Sequence, residues 1–437
     1  MVSFVRRQEN PRSQPRSSTL SLSLRMSLKT LLKESGSIKK TIYIPMVDED
    51  VIPICMSVLS VPLKNLPDCF SDDESRSSTK VKTSSSSSSS STVDVNDDKA
   101  EVVFISEDDG DLCAGMGLGK LGSKIYVVGG LNPIYFGEKS VKNICSAKVF
   151  VFDTATRKLD KKAVPDMMSG KYRPVVFAGR GVDDDDQVLY VLAGDVPCIS
   201  GIPEKPFEAY NFRTEKWSDL PLPPFMDPES PFCSCPTVRG FALIGGKLYV
   251  STFASSFMYD FDKKLWSGEC MLFDNLPPSF YRPFECIYHV SLPYDGSTCG
   301  IPFGFRGRAA LFGNEDALIC TVPYETSVMA FMLGSGGEAV VGSQPLGITI
   351  SNNSFDSYIA ELGGDGLFCV LGWDYDERTD SPTFTLLPFL VTPNESGSAN
   401  GGQKYEPLLC EAGTKFPLPK DFGEHGECYS PTGCFAI

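Results

Sequence analysis

Histidine is nearly absent from this sequence, and its scarcity limits the chemistry that the protein can perform. The 437 residues include two histidines, His289 and His425, which lie in unlike surroundings, a strand-like run and a glycine-rich stretch. Histidine is the commonest metal ligand and the usual proton carrier near neutral pH. The count therefore argues against a histidine-based metal or proton-relay site, and we expect neither a metal ion nor another cofactor.

Cysteine is plentiful, but the spacing that binds zinc is missing. Fifteen cysteines are scattered from Cys55 to Cys434 without a Cys-x-x-Cys pair, and Cys233 and Cys235 have one residue between them. That separation is too short for a zinc knuckle. Since no secretory signal is recognisable, the odd number of cysteines indicates reduced thiols that are mostly buried as small apolar side chains.

Long apolar runs and a positive net charge are also lacking. No stretch contains the roughly 20 consecutive apolar residues that cross a bilayer, so we expect no membrane-spanning helix. The formal net charge is −15, which disfavours binding to nucleic acid through a basic surface. We expect the protein in the cytoplasm, the nucleus or both.

Composition separates four regions of the chain. Residues 1–40 form a basic Ser/Arg-rich extension, either disordered or an organelle transit peptide that would place the protein in an organelle. Residues 41–66 are rich in Ile and Val and predict short strands. Residues 67–99 are acidic and serine-rich, with too little apolar surface to become ordered, and form a linker or an inserted loop. Residues 100–437 alternate short apolar runs with turn residues, which is an all-β pattern.

A repeat inside the last region indicates the kind of all-β fold. In each of three repeats, a strand that contains a tyrosine is followed by a second strand that ends in Asp or Asn. A large apolar residue follows six positions later, in the pairs Asp153 and Leu159, Asn211 and Trp217, and Asp260 and Trp266. The loop within the repeat varies in length while this interval does not, as in stacked supersecondary units.

These repeats resemble kelch repeats, in which an apolar strand ends in Gly-Gly, a second strand ends near Asp and a tryptophan follows. The residues that carry the resemblance are Gly129, Gly130, Asp153, Gly194, Asn211, Trp217, Asp260 and Trp266. The resemblance implies a kelch-type β-propeller of five or six four-stranded blades over residues 100–437. Strands from residues 41–66, or from Val102–Ile105, would then meet the C-terminal segment and complete the ring.

The sequence departs from the kelch pattern at several positions. The first repeat alone carries the Gly-Gly pair, the second has Ala193 before Gly194, and the third has Ser251 and Thr252 instead. Leu159 stands where the first repeat should have a tryptophan, and the pattern weakens beyond residue 285.

No catalytic arrangement emerges from the sequence. Kelch-type propellers include copper radical oxidases, whose metal needs two histidines and two tyrosines, and the two histidines here lie in unlike contexts. Neither a Gly-x-Ser-x-Gly nucleophile elbow nor a phosphate-binding loop is present. We therefore predict a protein that is not an enzyme.

The candidate binding residues are arginines that open the predicted inner strands, together with the tyrosines beside two of them. They are Arg173, Arg239, Arg282, Arg306, Tyr172 and Tyr281. A ring of repeats would gather the guanidinium groups at one mouth of a central channel, where they suit bidentate capture of carboxylates or phosphates. The tyrosines would add rigid contact area. The alternative is that the arginines brace the loops between blades.

The sequence thus predicts an interaction scaffold that binds a protein partner through one face of the propeller. Two alternatives stay open. One is a substrate adaptor of a ubiquitin ligase that lacks a recognisable F-box or BTB domain, and the other is a propeller that binds or acts on a small molecule or a carbohydrate. The oligomeric state does not follow from the sequence.

Overall fold

The computed structural model of the chain describes strands and their connections over most of residues 100–437 and two earlier strands. The described residues are 40–48, 55–63, 100–105, 111–131, 145–180, 186–196, 201–230, 236–252, 256–269, 306–313, 317–322, 325–333, 340–349, 357–363, 366–376, 381–393, 404–409, 414–417, 429–431 and 435–437. Over these ranges the fold is all-β, with no α-helix and with a single 3-10 turn at Pro224–Met226.

Most of the strands form antiparallel sheets of four or five strands in which neighbours follow one another along the chain. Sheet 1 contains β1 (Lys40–Asp48), β2 (Cys55–Leu63) and β3 (Glu101–Ile105). Sheet 2 contains β4 (Gly117–Leu121), β5 (Lys124–Val128), β6 (Val149–Asp153) and β7 (Lys158–Asp160). Sheet 3 contains β8 (Val175–Arg180), β9 (Gln187–Leu192), β10 (Phe207–Asn211) and β11 (Lys216–Asp219).

The later strands continue this order. Sheet 4 contains β12 (Val238–Ile244), β13 (Lys247–Thr252), β14 (Ser256–Asp260) and β15 (Leu265–Glu269). Sheet 5 contains β16 (Arg306–Phe312), β17 (Ala317–Val322), β18 (Glu325–Leu333) and β19 (Val340–Thr349). Sheet 6 contains β20 (Ser357–Gly363), β21 (Leu367–Asp376), β22 (Ser381–Pro393), β23 (Tyr405–Leu409) and β24 (Thr414–Pro417). Sheets 4 and 5 join through a short parallel pairing of β12 with β16.

Sheet 1 combines strands from both ends of the sequence. The strands β25 (Tyr429–Pro431) and β26 (Phe435–Ala436) both pair with β1 in antiparallel fashion. Backbone hydrogen bonds extend this pairing, from the Thr41 amide to the Ile437 carbonyl at 3.2 Å and from the Ile437 amide to the Thr41 carbonyl at 3.0 Å. Residues nearly 400 positions apart thus share one sheet.

The core consists of apolar layers between successive sheets. Within the described residues six such clusters occur, and each draws its side chains mainly from two neighbouring sheets. Alternate residues of β5 show the pattern, because Ile125 and Val127 belong to the layer shared with sheet 1, while Tyr126 and Val128 belong to the layer shared with sheet 3. The order of layers is cyclic, since sheet 6 also packs against sheet 1.

The six-residue interval of the repeats corresponds to one turn geometry. The Oδ1 atoms of Asp153, Asn211 and Asp260 each accept backbone hydrogen bonds from the amides two and three positions later, at 2.9–3.1 Å. Each turn then has a residue with positive φ, at Arg157, Glu215 and Lys264. An Asp or Asn side chain is suited to this role because it can cap the amides of a tight turn.

The tryptophans of the repeats connect neighbouring sheets. The indole nitrogen of Trp217 in β11 donates to the Pro165 carbonyl at 2.8 Å, and that of Trp266 in β15 donates to the Pro221 carbonyl at 2.9 Å. Both acceptors lie just beyond the last strand of the preceding sheet. The outer strand is therefore attached to the preceding sheet through a polar contact as well as through packing. Leu159, at the matching position of β7, has no such donor.

The diagnostic glycines allow the end of the second strand of a sheet to lie close to the segment that precedes the first strand of the same sheet. A Cβ on Gly194 would lie 1.8 Å from the carbonyl oxygen of Arg173, and one on Gly130 would lie 2.6 Å from the Cβ of Cys113. Gly129 and Gly130 also have φ values of 71° and 100°. Side chains other than hydrogen are excluded at these positions on steric grounds.

A buried ion pair anchors the connection between sheets 2 and 3. Lys171, in that connection, and Glu208, in β10, are both inaccessible to solvent, and the Lys171 ammonium donates to the Glu208 carboxylate. The carboxylate also accepts the amides of Met168 at 2.7 Å and Ser169 at 3.1 Å. Desolvation lowers the pKa of Lys171, while the charge and hydrogen bond of Glu208 oppose that shift. The Lys171 ammonium also donates to the Ser169 carbonyl at 3.1 Å, so the pair and its hydrogen bonds tie the connecting segment to β10.

We predict that Gly194→Ala destabilises the protein by about 3 kcal/mol, because the new methyl group must displace backbone. Gly122→Ala is the control, since its Cβ would meet nothing within 4 Å, and it should cost about 1 kcal/mol from its positive φ alone. Urea unfolding of both variants provides the comparison. Equal losses would contradict the close approach at Gly194.

We predict that Lys171→Met destabilises the protein by about 3–5 kcal/mol, since it leaves the Glu208 carboxylate buried without its counter-charge. The double variant Lys171→Met/Glu208→Gln should lose clearly less, because no buried charge remains. Chemical unfolding of the single and double variants measures this coupling. If the double variant loses as much stability as Lys171→Met and Glu208→Gln combined, the two side chains do not act as a pair.

Candidate binding cavity

The first strand of each of sheets 2 to 6 lines one cavity. The cavity has a volume of about 660 Å³, and its walls are formed by residues in or next to β4, β8, β12, β16 and β20, together with β26 from sheet 1. Successive first strands lie side by side, as the β12–β16 pairing shows directly. Side chains at the starts of these strands are therefore brought together although they are far apart in the sequence.

The charged residues of the cavity wall are mostly basic. The described lining residues include Lys120, Arg173, Arg239 and Arg308 as cations and Glu361 as the one carboxylate. The chain as a whole has a net charge of −15. A cavity with an excess of positive charge in an acidic protein concentrates anions at that site, since the low-dielectric walls focus its field.

Arg173 is held by its backbone and presents an exposed side chain. Its amide donates to the Gly115 carbonyl at 2.8 Å, and its φ is 44°, an unusual value for a residue with a side chain. Its guanidinium carbon lies 5.2 Å from the centre of the Tyr172 ring, a cation–π distance. Tyr172 is half-buried and its ring packs on Gly115, where a Cβ would lie 2.2 Å from the ring.

One short segment holds the backbone next to Arg173 and next to Arg239. In the segment Gly194–Val196, the Asp195 amide donates to the Tyr172 carbonyl at 3.1 Å, and the Gly194 carbonyl accepts the Val238 amide at 2.6 Å. The Asp195 carboxylate also accepts the Thr237 hydroxyl at 2.8 Å. Arg173 and Arg239 are thus each one residue away from a backbone group fixed by this segment.

Arg308 lies on the strand next to that of Arg239 and is offset from it along the strand direction. Phe241 pairs with Arg308 between β12 and β16, so Arg308 is level with a position two residues beyond Arg239, roughly 7 Å along a strand. The Arg308 side chain is exposed to the cavity. Desolvation by the surrounding protein lowers the pKa of its guanidinium, and the negative charge of Glu361 opposes that shift.

Only some of the binding residues that the sequence predicts can be placed relative to the cavity. Arg173 and Arg239 line the cavity. Arg306 is the first residue of β16, but its side chain is outside the described part, and Arg282 and Tyr281 lie outside the described residues altogether. Whether any of these residues binds a ligand remains a prediction.

Sequence reasoning missed two cationic residues of the cavity, Lys120 and Arg308. Arg308 stands two positions after Arg306 in a strand, a spacing that places side chains on the same face. Lys120 carries no recognisable signal, because the Lys120 ammonium donates to the Ala436 carbonyl, a residue that only the fold brings close.

Neither a metal-binding cluster nor a membrane-spanning helix occurs among the described residues. Among the described residues, no three His, Cys, Asp or Glu side chains are grouped so as to hold a metal ion. Both histidines lie outside those residues, so the expected absence of a metal stays a prediction. In the same part of the chain, no helix is long and apolar enough to cross a membrane.

Four cysteines form no disulfide, and most of them are buried. Cys113, Cys320 and Cys369 are buried, and Cys145 is half-buried. Burial raises the pKa of the Cys320 thiol and, against the influence of Ser146 and Lys148, that of Cys113. These thiols pack as small apolar side chains.

One family model matches part of the chain. It is described as "Protein of unknown function (DUF1668)" and matches residues 63–272, a little under half of the sequence. This range contains the three repeats. No curated protein matches the chain.

Several solved structures resemble the chain at low sequence identity. An auxiliary nutrient binding protein from Bacteroides ovatus is 9% identical with a TM-score of 0.30, and the match covers 66% of this chain and 50% of that one. The chain thus spans half the length of that protein. The structure of YjhT is 10% identical with a TM-score of 0.39, and the match covers 82% of this chain and 93% of that one.

Two further structures correct the prediction that the chain is not an enzyme. Both are provisionally assigned as 6-phosphogluconolactonases. The Bacteroides uniformis protein is 11% identical with a TM-score of 0.34, covering 90% of this chain and 83% of that one. The Bacteroides fragilis protein is 9% identical with a TM-score of 0.36, covering 91% and 98%.

The exclusion of enzymes was wrong because it depended on histidine and on a few motifs. Scarce histidine excludes histidine chemistry alone, and carboxylates, lysines and tyrosines also serve as acids and bases. These weak similarities assign no activity to this chain.

We predict that Arg173→Gly is more stable than Arg173→Ala by about 1 kcal/mol, because glycine adopts positive φ without strain. Both variants lose the contact with Tyr172, so the difference between their free energies of unfolding reports the backbone strain at this position alone. Urea unfolding midpoints measure it. Equal stabilities would show that the backbone does not retain φ near 44° after the side chain is removed.

Proposed function

We propose that the chain forms a six-bladed propeller of the kelch type. The cyclic order of the core layers supports this arrangement, since sheets 1 to 6 each pack between two neighbours and sheet 6 meets sheet 1. Six strands around one cavity are expected when the innermost strand of each blade faces a central channel. In this arrangement the pairing of β1 with β25 and β26 closes the ring and protects the sheet edges.

We propose further that this propeller binds a protein partner through the face on which Arg173 and Arg239 lie, and that it recognises acidic groups of the partner. The observation that carries the proposal is the convergence of cationic side chains from several sheets on one cavity of an acidic protein. Guanidinium groups bind carboxylates and phosphates through paired, charge-assisted hydrogen bonds. Arg173 and Arg239 are also held by a common segment, so they are preorganised for such contacts.

The proposal is tested by capture of partners with the full chain as bait. We expect proteins that bind the wild type to be lost, or to bind about 10- to 100-fold more weakly, when the bait is Arg173→Gly/Arg239→Gln, since each charge-assisted contact is worth about 1–3 kcal/mol. The matched control is Lys124→Gln/Lys216→Gln, which removes two exposed charges outside the cavity wall. Quantitative mass spectrometry of the captured proteins, with unfolding midpoints of each bait, provides the measurement.

The proteins captured distinguish the outcomes. Partners that disappear with the cavity variant and persist with the control support the proposed face, and ligase subunits among them would identify a ubiquitin-ligase adaptor. If both variants retain the same partners, the arginines brace the fold and the proposal fails.

A further inference from the structure

Two charged residues of the cavity wall differ from the others because they have no partner within the described part of the chain. Arg308 in β16 and Glu361 in β20 take part in no hydrogen bond or ion pair there, either with each other or with another group. The other three charged residues of the described wall, Lys120, Arg173 and Arg239, each have an interaction with the protein. Arg308 and Glu361 are therefore the charges of this cavity that a ligand can engage without breaking a contact.

Glu361 lies on the face of β20 that is turned toward sheet 5. In β20, Ala360 and Leu362 belong to the layer shared with sheet 1, while Ile359 belongs to the layer shared with sheet 5. Because side chains alternate along a strand, Glu361 shares the face of Ile359. Its cross-strand partner Phe368 belongs to that same layer. The Glu361 side chain is thus directed toward sheet 5, whose first strand is β16.

Arg308 lies close enough to Glu361 for the two charges to influence each other. Desolvation by the surrounding protein lowers the pKa of the Arg308 guanidinium, and the charge of Glu361 opposes that shift. Both side chains are exposed to solvent where they line the cavity. Sheets 5 and 6 are also tied together here, since the Thr321 hydroxyl of β17 donates to the Ser357 carbonyl of β20 at 3.3 Å. Two neighbouring and opposite charges therefore face one cavity without forming an ion pair.

The rest of the cavity wall suits a small molecule. Its apolar residues include Leu243, Leu311 and Ile359, and the volume of about 660 Å³ is within the range of small-molecule sites, about 300–1,000 Å³. Such sites combine mainly apolar walls with a few polar groups that orient the ligand. Apolar surroundings also strengthen contacts between charges, because they lower the local dielectric constant.

We propose that this cavity binds a small zwitterion, a molecule with one carboxylate and one ammonium group such as an amino acid, with its carboxylate on Arg308 and its ammonium group on Glu361. An anion alone would leave the Glu361 carboxylate without a partner, and a cation alone would leave the Arg308 guanidinium without one. A ligand that carries both charges satisfies both residues. The site goes beyond the proposed partner binding, because it needs no protein partner.

Titration calorimetry of the full chain at low ionic strength tests the site with L-leucine and γ-aminobutyrate as probes, which differ in the separation of their two charges. We expect one saturable site per chain for at least one of them. The amide of that probe lacks the carboxylate, and its N-acetyl derivative lacks the ammonium charge. Each derivative should bind about tenfold or more weakly than the zwitterion, since each loses one charge-assisted contact. This comparison uses the wild-type chain and does not depend on the folding of a variant.

Two variants assign the contacts to the two residues. Arg308→Met should remove the preference for the zwitterion over its amide, because the carboxylate no longer has a partner. Glu361→Gln should remove the preference for the zwitterion over its N-acetyl derivative and keep the other preference. General damage to the fold would not abolish one preference while keeping the other. Lys124→Gln, which changes an exposed lysine outside the cavity wall, should leave every affinity unchanged.

The proposal is overturned if neither zwitterion binds the wild type at one site per chain, or if either derivative binds as tightly as the zwitterion. It is also overturned if Arg308→Met and Glu361→Gln, shown to be folded by their unfolding transitions, both retain the wild-type preferences. This proposal and the partner proposal fail separately, because the calorimetry contains no partner and the capture experiment contains no zwitterion.

Discussion

Both faces of each four-stranded sheet in this protein are apolar, and each face must be covered. A sheet with one apolar face can pack against a single neighbour, but a sheet that is apolar on both sides needs one on each side. In β5 the alternation is direct, with Ile125 and Val127 toward one neighbour and Tyr126 and Val128 toward the other. A row of such sheets leaves two uncovered faces unless its ends meet. The layer between sheets 6 and 1 removes both of them.

The cavity is a consequence of the same packing. When sheets are arranged about a common axis, their first strands face one another at the centre, and the residues that start those strands become neighbours. Arg173, Arg239 and Arg308 come from three different sheets and meet on one wall in this way. Polar contacts such as the indole of Trp217 on Pro165 and the Lys171–Glu208 pair attach the segment between sheets 2 and 3 to the outer strands of sheet 3. None of these four residues lines the cavity.

Local signals predicted the parts of the fold that depend on local chemistry. The six-residue interval after Asp153, Asn211 and Asp260 indicated a recurring unit, and the structure shows a capped turn at each of them. Weaker local signals failed for a physical reason. The exclusion of enzymes relied on missing histidine and missing motifs, which describe a few chemistries and leave carboxylate and lysine chemistry open.

The sequence by itself determined that the protein is built of short strands with recurring capped turns and close glycine contacts, because those properties depend on residues within a few positions of one another. The tertiary structure decided which charged groups meet. Lys120 and Arg308 are separated by 188 residues, and Lys171 and Glu208 by 37, so their proximity depends on how whole sheets pack. The local sequence pattern does not show which sheets are neighbours, and therefore it does not show which charged residues meet. The cationic cavity therefore belongs to the ring of sheets as a whole, and no single repeat contains it.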